Sequence, residues 1–98
     1  ATGAGAEFVK RYKEKYKKDP EAYALYGYEC AKVVLEAIKK VGKKDRAAIK
    51  DAVLGTKDFS AGVVGKWSFD ADGDTTLKQL TISRVENGKF KPVKTITE

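Results

Sequence analysis

The chain has 98 residues, which fits one small domain and excludes a multi-domain enzyme. With 42% hydrophobic and 35% charged residues, it has the composition of a folded globular protein. The longest uncharged run in its helical region, residues 22–28, is far shorter than the ~20 residues of a membrane span. The absence of His and the single Cys exclude zinc sites, Ser-His-Asp triads and Cys-His pairs, so we expect a non-catalytic protein without metal or cofactor.

Basic residues exceed acidic residues by six, which raises the question of an acidic partner. Seventeen of the twenty basic residues are lysines, and only Arg11, Arg46 and Arg84 could form two parallel hydrogen bonds to a phosphate or a guanine. The lysines of 10–18 and 39–44 are interleaved with acidic residues, a pattern typical of a solvated helix face. We therefore expect no nucleic-acid partner, and a free-standing basic module that binds nucleic acid electrostatically stays as the alternative.

Two helices are predicted at the start of the chain. Apolar residues recur at spacings of three and four over 6–18. A second helix is predicted over 20–41, because Asp19 can cap its first turn, Pro suits its first position and Gly42 provides a left-handed stop.

The second helix changes character along its length. Its later turns carry a polar stripe that we expect to face solvent, formed by Glu29, Lys32, Glu36 and Lys39. The remaining positions there are predicted to face a core: Cys30, Val33, Val34, Ala37, Ile38 and Val41. The turns over 22–28 are apolar nearly all round, so we expect this helix to need more packing partners than a short chain supplies.

The next elements differ in type. A third helix is predicted over 45–54, with Asp45 as its N-cap. After it the apolar period changes from 3.6 to 2, and a strand is predicted over 63–69. An acidic turn follows over 70–74; it lacks the Gly and Glu positions of a calcium loop and is interpreted as an exposed Asx-Gly turn.

A β-hairpin is predicted at the end of the chain. The segments 77–85 and 90–96 alternate apolar and polar residues, and Asn87-Gly88 between them is a strong hairpin signal. Pro92 cannot donate to a ladder, so the last strand is predicted to lie at a sheet edge.

An ordered series of motifs runs through almost the whole chain. It begins with Phe8-Val9-Lys10-Arg11-Tyr12-Lys13 and Asp19-Pro20-Glu21-Ala22-Tyr23-Ala24, and continues through 27–42, 45–54, Gly65-Lys66-Trp67-Ser68-Phe69-Asp70 and Gly73-Asp74. Together these motifs closely resemble the C-terminal quarter of the type I periplasmic binding proteins of branched-chain amino acid ABC transporters. The chain also has neither an initiator Met nor a signal peptide, so we expect a processed, engineered or excised piece.

The resemblance implies a two-lobed α/β parent that traps an amino acid between lobes joined by three crossing strands. By this likeness residues 1–74 belong to the first lobe, and 75–98 form a hinge crossing and strands of the second lobe. The implied parent works outside the cytoplasmic membrane, in the periplasm or extracellularly, free or membrane-anchored. Its implied partners are a small amino acid and the permease of an ABC transporter.

The family's pocket has an aromatic position shortly after a helix start, which matches Tyr23, with Tyr26 as a second choice. Most tyrosines at helical spacing pack in a core, and that is the expectation for Tyr12, Tyr16 and Tyr28. The groups that hold the ligand's carboxylate and ammonium would lie upstream, so we expect the 98 residues alone not to bind. The exposed faces would then favour a homo-oligomer or a complementing fragment, and an engineered self-associating fragment stays as a further alternative.

Overall fold

The computed structural model describes residues 3–98 and contains three helices followed by one β-hairpin. Helix α1 spans Ala4–Tyr16, α2 spans Ala24–Val41 and α3 spans Arg46–Leu54. Strand β1 spans Gln79–Glu86 and β2 spans Lys89–Thr97, paired antiparallel. Of the residues that precede the first predicted helix, 1 and 2 lie outside the described part. Within 3–98, no helix combines the length and apolar character that crossing a membrane requires.

The second helix begins four residues later than predicted. The carboxylate of Asp19 does not cap it and instead pairs with Lys13 Nζ at 3.0 Å. Residues 21–24 form a turn, in which the Ala24 amide donates to the carbonyl of Glu21 at 3.1 Å. The N-cap is Tyr23, which makes no side-chain capping hydrogen bond. The predicted stop is confirmed, because Gly42 adopts a left-handed φ of 73° and its amide donates to Ile38.

Helix α3 has the start that its sequence predicts. Asp45 is extended, and its carboxylate accepts a hydrogen bond from the Ala48 amide at 3.0 Å. This bond satisfies one of the amides that a helix N-terminus leaves without an intrahelical partner. Gly55 follows the last helical residue and closes the end through its amide, which donates to Asp51.

The prediction of a strand over 63–69 is wrong. This part of the chain makes single bridges, Phe59 with Trp67 and Phe69 with Thr75, and no continuous ladder. The physical reason is that the Val63 amide, which a ladder would use, donates to a side-chain carboxylate on α2. The segment 55–78 is therefore an irregular loop that is held by tertiary hydrogen bonds.

The hairpin is confirmed: β1 begins two residues later and ends one residue later than predicted, and β2 extends by one residue at each end. Asn87 and Gly88 both have positive φ, 51° and 74°, as a two-residue type I′ turn requires. The register shifts between Ile82 and Ser83, whose partners are Lys94 and Pro92, so that Val93 is bulged. Pro92 thus lies beside a β-bulge on a strand whose outer side is open.

The core is small for a chain of this length. Among the described residues, Val33, Ala37 and Trp67 are the buried hydrophobic side chains. The accessible surface of the chain is 7910 Å², whereas a compact protein of the same mass exposes about 5,500 Å². The radius of gyration is 15.8 Å, against about 13 Å for a compact domain of this length. The chain thus keeps faces open that a self-contained domain would bury.

Substitution of Asp45 tests whether its side chain stabilises α3 as an N-cap. Asp45→Ala should lower the free energy of unfolding by about 1 kcal/mol, because the Ala48 amide loses its acceptor. Asp51→Ala, on the exposed side of the same helix, is the matched control and should change it by less than about 0.5 kcal/mol. Urea unfolding followed by Trp67 fluorescence measures both variants, and equal effects would contradict the capping role.

Candidate functional site

The two tyrosines predicted to face a ligand lie together at the start of α2. Tyr23 is 80% exposed and Tyr26 is 56% exposed. Their ring centroids are 6.2 Å apart, with the ring planes tilted by 45°. Exposed aromatic rings with polar hydroxyls can cover an apolar ligand group while staying in contact with water. We call Tyr23 and Tyr26 the tyrosine pair.

The other tyrosines behave differently from one another. Tyr12 and Tyr28 are half-buried where α1 packs on α2, and the Phe8 and Tyr28 rings are 5.1 Å apart. Tyr16 is 54% exposed, so its predicted core role is wrong. A cleft of about 380 Å³ lies between these two helices, and Arg11 and Lys15 are among the residues that line it.

A more apolar groove lies on the other side of α2, and we call it the α2 groove. It encloses about 350 Å³ between α2, α3 and the loop 55–78. Tyr26 borders it, which places one member of the tyrosine pair at this cavity. Cys30, Val34 and Ile38 were predicted to be buried, but Cys30 and Val34 are exposed in this groove and Ile38 is 41% exposed. Cys30 and Val34 are exposed because α3 and the loop 55–78 border the groove without filling it.

Glu29 contradicts the predicted polar stripe. It is only 4% exposed, although the pattern placed it with the solvent-facing Lys32, Glu36 and Lys39. One carboxylate oxygen accepts from Trp67 Nε1 at 2.7 Å, and the other accepts from the Val63 amide at 2.6 Å. We call this pair of hydrogen bonds the Glu29 anchor, since it fastens the irregular loop to α2.

The neighbours of the Glu29 anchor fit it closely. A Cβ atom at Gly62 would overlap the Glu29 carboxylate, so the loop can approach only with glycine at this position. Trp67 is 7% exposed and packs edge-on against Phe69, with the ring centroids 4.8 Å apart. The Phe59 and Trp67 backbones exchange two hydrogen bonds of 2.6 and 3.1 Å. The anchor therefore holds a short aromatic cluster, Phe59, Trp67 and Phe69, beside the α2 groove.

The acidic turn is a structural turn, as predicted. Asp70 Oδ1 accepts from the amides of Asp72 and Asp74, both at 2.9 Å. The Asp74 and Asp72 amides lower the pKa of the Asp70 carboxyl, and the charge of Lys78 acts in the same direction. Among residues 3–98, no three acidic or Cys side chains come together in a way that could hold a metal ion.

Comparisons with known proteins agree on one family. A family model described as "Periplasmic binding protein" matches residues 1–89. The Leu/Ile/Val-binding protein homolog 7 of Brucella abortus (strain 2308) is 36% identical over 91 residues, which make up 89% of this chain and 23% of that protein. The homolog 7 of Brucella melitensis biotype 1 is 47% identical over 91 residues, with the same coverage.

Two solved structures match nearly every residue of the fold. The leucine binding protein LivK from Thermotoga maritima MSB8 has a TM-score of 0.82 at 33% identity, over 98% of this chain and 27% of its own. The branched-chain amino acid transporter substrate binding protein LivJ from Streptococcus pneumoniae, solved in complex with isoleucine, has a TM-score of 0.86 at 33% identity, over 100% of this chain and 27% of its own. The chain thus spans about a quarter of the length of its relatives, and the predicted resemblance is confirmed.

Replacement of Glu29 by Gln tests the Glu29 anchor. An amide has one acceptor oxygen for two buried donors, so Glu29→Gln should lower the free energy of unfolding by about 2 kcal/mol. Glu36→Gln is the matched control, because within residues 3–98 Glu36, on the same helix, makes only a long ion pair with Lys32, at 3.9 Å. It should cost less than about 0.5 kcal/mol. Trp67, the only tryptophan of the chain, reports both unfolding and the local change in its emission.

The acidic turn should respond to acid. Because the pKa of Asp70 is lowered from 3.8 in the folded chain, its stabilisation of the turn is fully present above that ordinary value. It is lost as the pH falls through the lowered folded value. Amide chemical shifts of Asp72 and Asp74 followed by NMR should move in this range, and Asp70→Asn should reduce the movement to the part that their own carboxyl groups cause. Shifts of undiminished size in Asp70→Asn would contradict this assignment.

Proposed function

The chain belongs to the periplasmic binding protein family, and from this membership we propose that it forms part of a receptor that captures a branched-chain or related amino acid for an ABC importer. The observation that carries the proposal is the match of the complete chain to a solved protein in complex with isoleucine. The curated relatives are named Leu/Ile/Val-binding protein homolog 7, and this name points to the same class of ligand. The proposed role is capture and delivery, without catalysis.

The proposed receptor has two lobes, and this chain contributes to both. Residues 1–74 are assigned to the first lobe, with the three helices on its outside. Residues 75–98 are assigned to a hinge crossing and to strands of the second lobe. The separation of the helices from the hairpin in the element order supports this division. The open surface of the chain supports it as well, because a segment of a larger fold leaves the faces exposed that its neighbours would cover.

The tyrosine pair is proposed as the chain's contact with the amino acid. Both rings are exposed at the start of α2, and Tyr26 also borders the α2 groove. An aromatic ring covers a branched aliphatic side chain well, since burial of apolar area stabilises the contact and the hydroxyl stays solvated. Tyr23, as the more exposed of the two, is assigned the larger share of the contact.

The proposed setting follows from the same membership. The receptor works in the periplasm or outside the cell, free or anchored to the membrane, and docks on the permease of an ABC transporter. The groups that hold the ligand's carboxylate and ammonium are assigned to segments of the receptor outside this chain. The 98 residues alone are therefore proposed not to bind amino acid, and to meet either copies of themselves or a complementing fragment.

Calorimetry can test both parts of this proposal. The chain alone should give no heat with leucine, isoleucine or valine, because most of the pocket is missing. A chimera, in which the chain replaces the matching quarter of the pneumococcal LivJ, should bind isoleucine. Micromolar binding by the chain alone would overturn the proposal that the rest of the receptor supplies most of the pocket. A folded chimera that binds none of the three amino acids would overturn the assignment of ligand class.

The tyrosine pair gives a sharper test in the same chimera. Tyr23→Ala should weaken isoleucine binding about tenfold to a hundredfold, as expected when about 2 kcal/mol of apolar contact is lost. Tyr26→Ala should weaken it less. Tyr16→Ala removes an equally large exposed ring from α1 and should leave affinity unchanged. An affinity unchanged by Tyr23→Ala would remove Tyr23 from the ligand site.

A further inference from the structure

The turn of α2 that carries the tyrosine pair has no local cap within the described chain. Tyr23 is the N-cap residue and makes no side-chain capping hydrogen bond, and the first turn of α2 has no acidic residue. Such a helix start leaves amides without an intrahelical partner, and helix ends fray. Within residues 3–98, the order of this turn therefore depends on the tertiary contacts of the residues that follow it.

Glu29 is the first residue of α2 that is buried. It follows Tyr26 by three positions, and residues three apart on a helix are neighbours on one face. Tyr26, Glu29 and Trp67 are all among the residues that line the α2 groove. The carboxylate that fastens the loop and the aromatic ring proposed to meet the ligand thus lie side by side on the same helix.

The Glu29 anchor also fixes the wall that faces Tyr26 across the groove. The wall includes Val64 and Trp67, and the anchor binds the chain at Val63 and at the Trp67 indole. Each of these hydrogen bonds joins two residues of the described chain, so none depends on a segment outside it. Loss of the anchor would release the wall and the helix face together.

The anchor depends on two groups that have no equivalent substitute. Both acceptor oxygens of Glu29 are used, and a glutamine amide would offer one oxygen and turn an NH₂ group towards the second donor. Gly62 leaves the space that the carboxylate occupies, and a Cβ there would overlap it. The φ of Gly62 is not positive, so an alanine would act through its Cβ without backbone strain. The anchor can therefore be broken from either side.

We propose that Glu29 is a positioning residue for ligand binding: by fastening the groove wall to α2, it holds the tyrosine pair in the arrangement that meets the amino acid. Glu29 does not touch the ligand itself. It acts through Tyr26 and, because the two rings of the pair are neighbours, through Tyr23. This inference rests on the proposed ligand contact of the tyrosine pair and adds the residue that pre-organises it.

Calorimetry with isoleucine in the LivJ chimera tests the positioning. Side chains that must be ordered on binding lower affinity, so Glu29→Gln and Gly62→Ala should each weaken binding about threefold to tenfold. Asp45→Ala removes the cap of α3, a contact with Ala48, and should change affinity less than about twofold because it is a separate site. Circular dichroism checks that every variant is folded. An effect of Asp45→Ala as large as that of Glu29→Gln would assign the loss to stability and overturn the proposal.

A double-mutant cycle shows whether Glu29 acts through the tyrosine pair. In a chimera that carries Tyr23→Ala and Tyr26→Ala, adding Glu29→Gln should change affinity less than about twofold, because the rings that it positions are absent. Titrations extended to millimolar isoleucine reach the weaker binding of these variants. A further loss in this background as large as in the parent chimera would show that Glu29 acts on another part of the pocket, and would overturn the proposal.

A measurement without ligand separates this inference from the proposed function. In a chimera labelled with fluorotyrosine, the fluorine resonances of Tyr23 and Tyr26, each assigned by a Phe substitution, should shift or broaden in Glu29→Gln. They should stay in place in Glu36→Gln, the isosteric control on the same helix. Resonances that do not move in Glu29→Gln overturn the positioning, whatever the affinity. If they move while Tyr23→Ala and Tyr26→Ala leave affinity unchanged, the positioning of the rings is supported and the proposed ligand contact fails.

Discussion

The buried carboxylate of Glu29 is the interaction on which the described fold depends. The segment between α3 and β1 is long and has no regular ladder, a situation that is uncommon in compact domains. Its amides need partners once they leave water, and Glu29 supplies an acceptor oxygen to Val63 and another to the Trp67 indole. Hydrogen bonds to a charged group are about twice as strong as neutral ones. A single side chain on α2 thus organises a loop that secondary structure does not.

Features of the fold that depend on neighbouring residues could be predicted from the sequence, whereas features that depend on contacts between distant residues could not. The Asp45 cap, the Gly42 stop and the Asn87-Gly88 turn each depend on a few neighbouring residues, and all were predicted correctly. The start of α2 was missed because Asp19, a good cap by its local signals, pairs with Lys13 one element earlier. The strand over 63–69 was predicted wrongly because its alternation is compatible with bends around a carboxylate as well as with a ladder.

Glu29 shows how one pattern can have two solutions. The spacing of Glu29, Lys32 and Glu36 forms a polar stripe along the helix, whereas the spacing of Glu29, Val33 and Ala37 places the same residue on the buried face. The second arrangement is the one that forms. Two features of the sequence bear on this choice. The indole of Trp67 needs a hydrogen-bond acceptor when it is buried, and position 62 is a glycine, although the sequence does not show which side chain approaches it. The tyrosine pair, by contrast, was predicted as a ligand contact from the family resemblance, because exposed rings at a helix start have no periodic sequence pattern of their own.

The open surface and the anchor together define what this segment contributes to the proposed receptor. Tyr26 precedes Glu29 by one helical turn, so the bonds that fix Glu29 also fix the helix face that presents the tyrosine pair. A ligand cover must be rigid to be selective, since ordering a mobile side chain on binding costs affinity. If the tyrosine pair is the ligand contact proposed above, the anchor would provide this rigidity from the side of α2 that the loop covers. Val34 and Ile38 are exposed on the same helix. The segment is thus ordered internally around one carboxylate, and its remaining apolar faces are the places where the other three-quarters of a family member would complete the core.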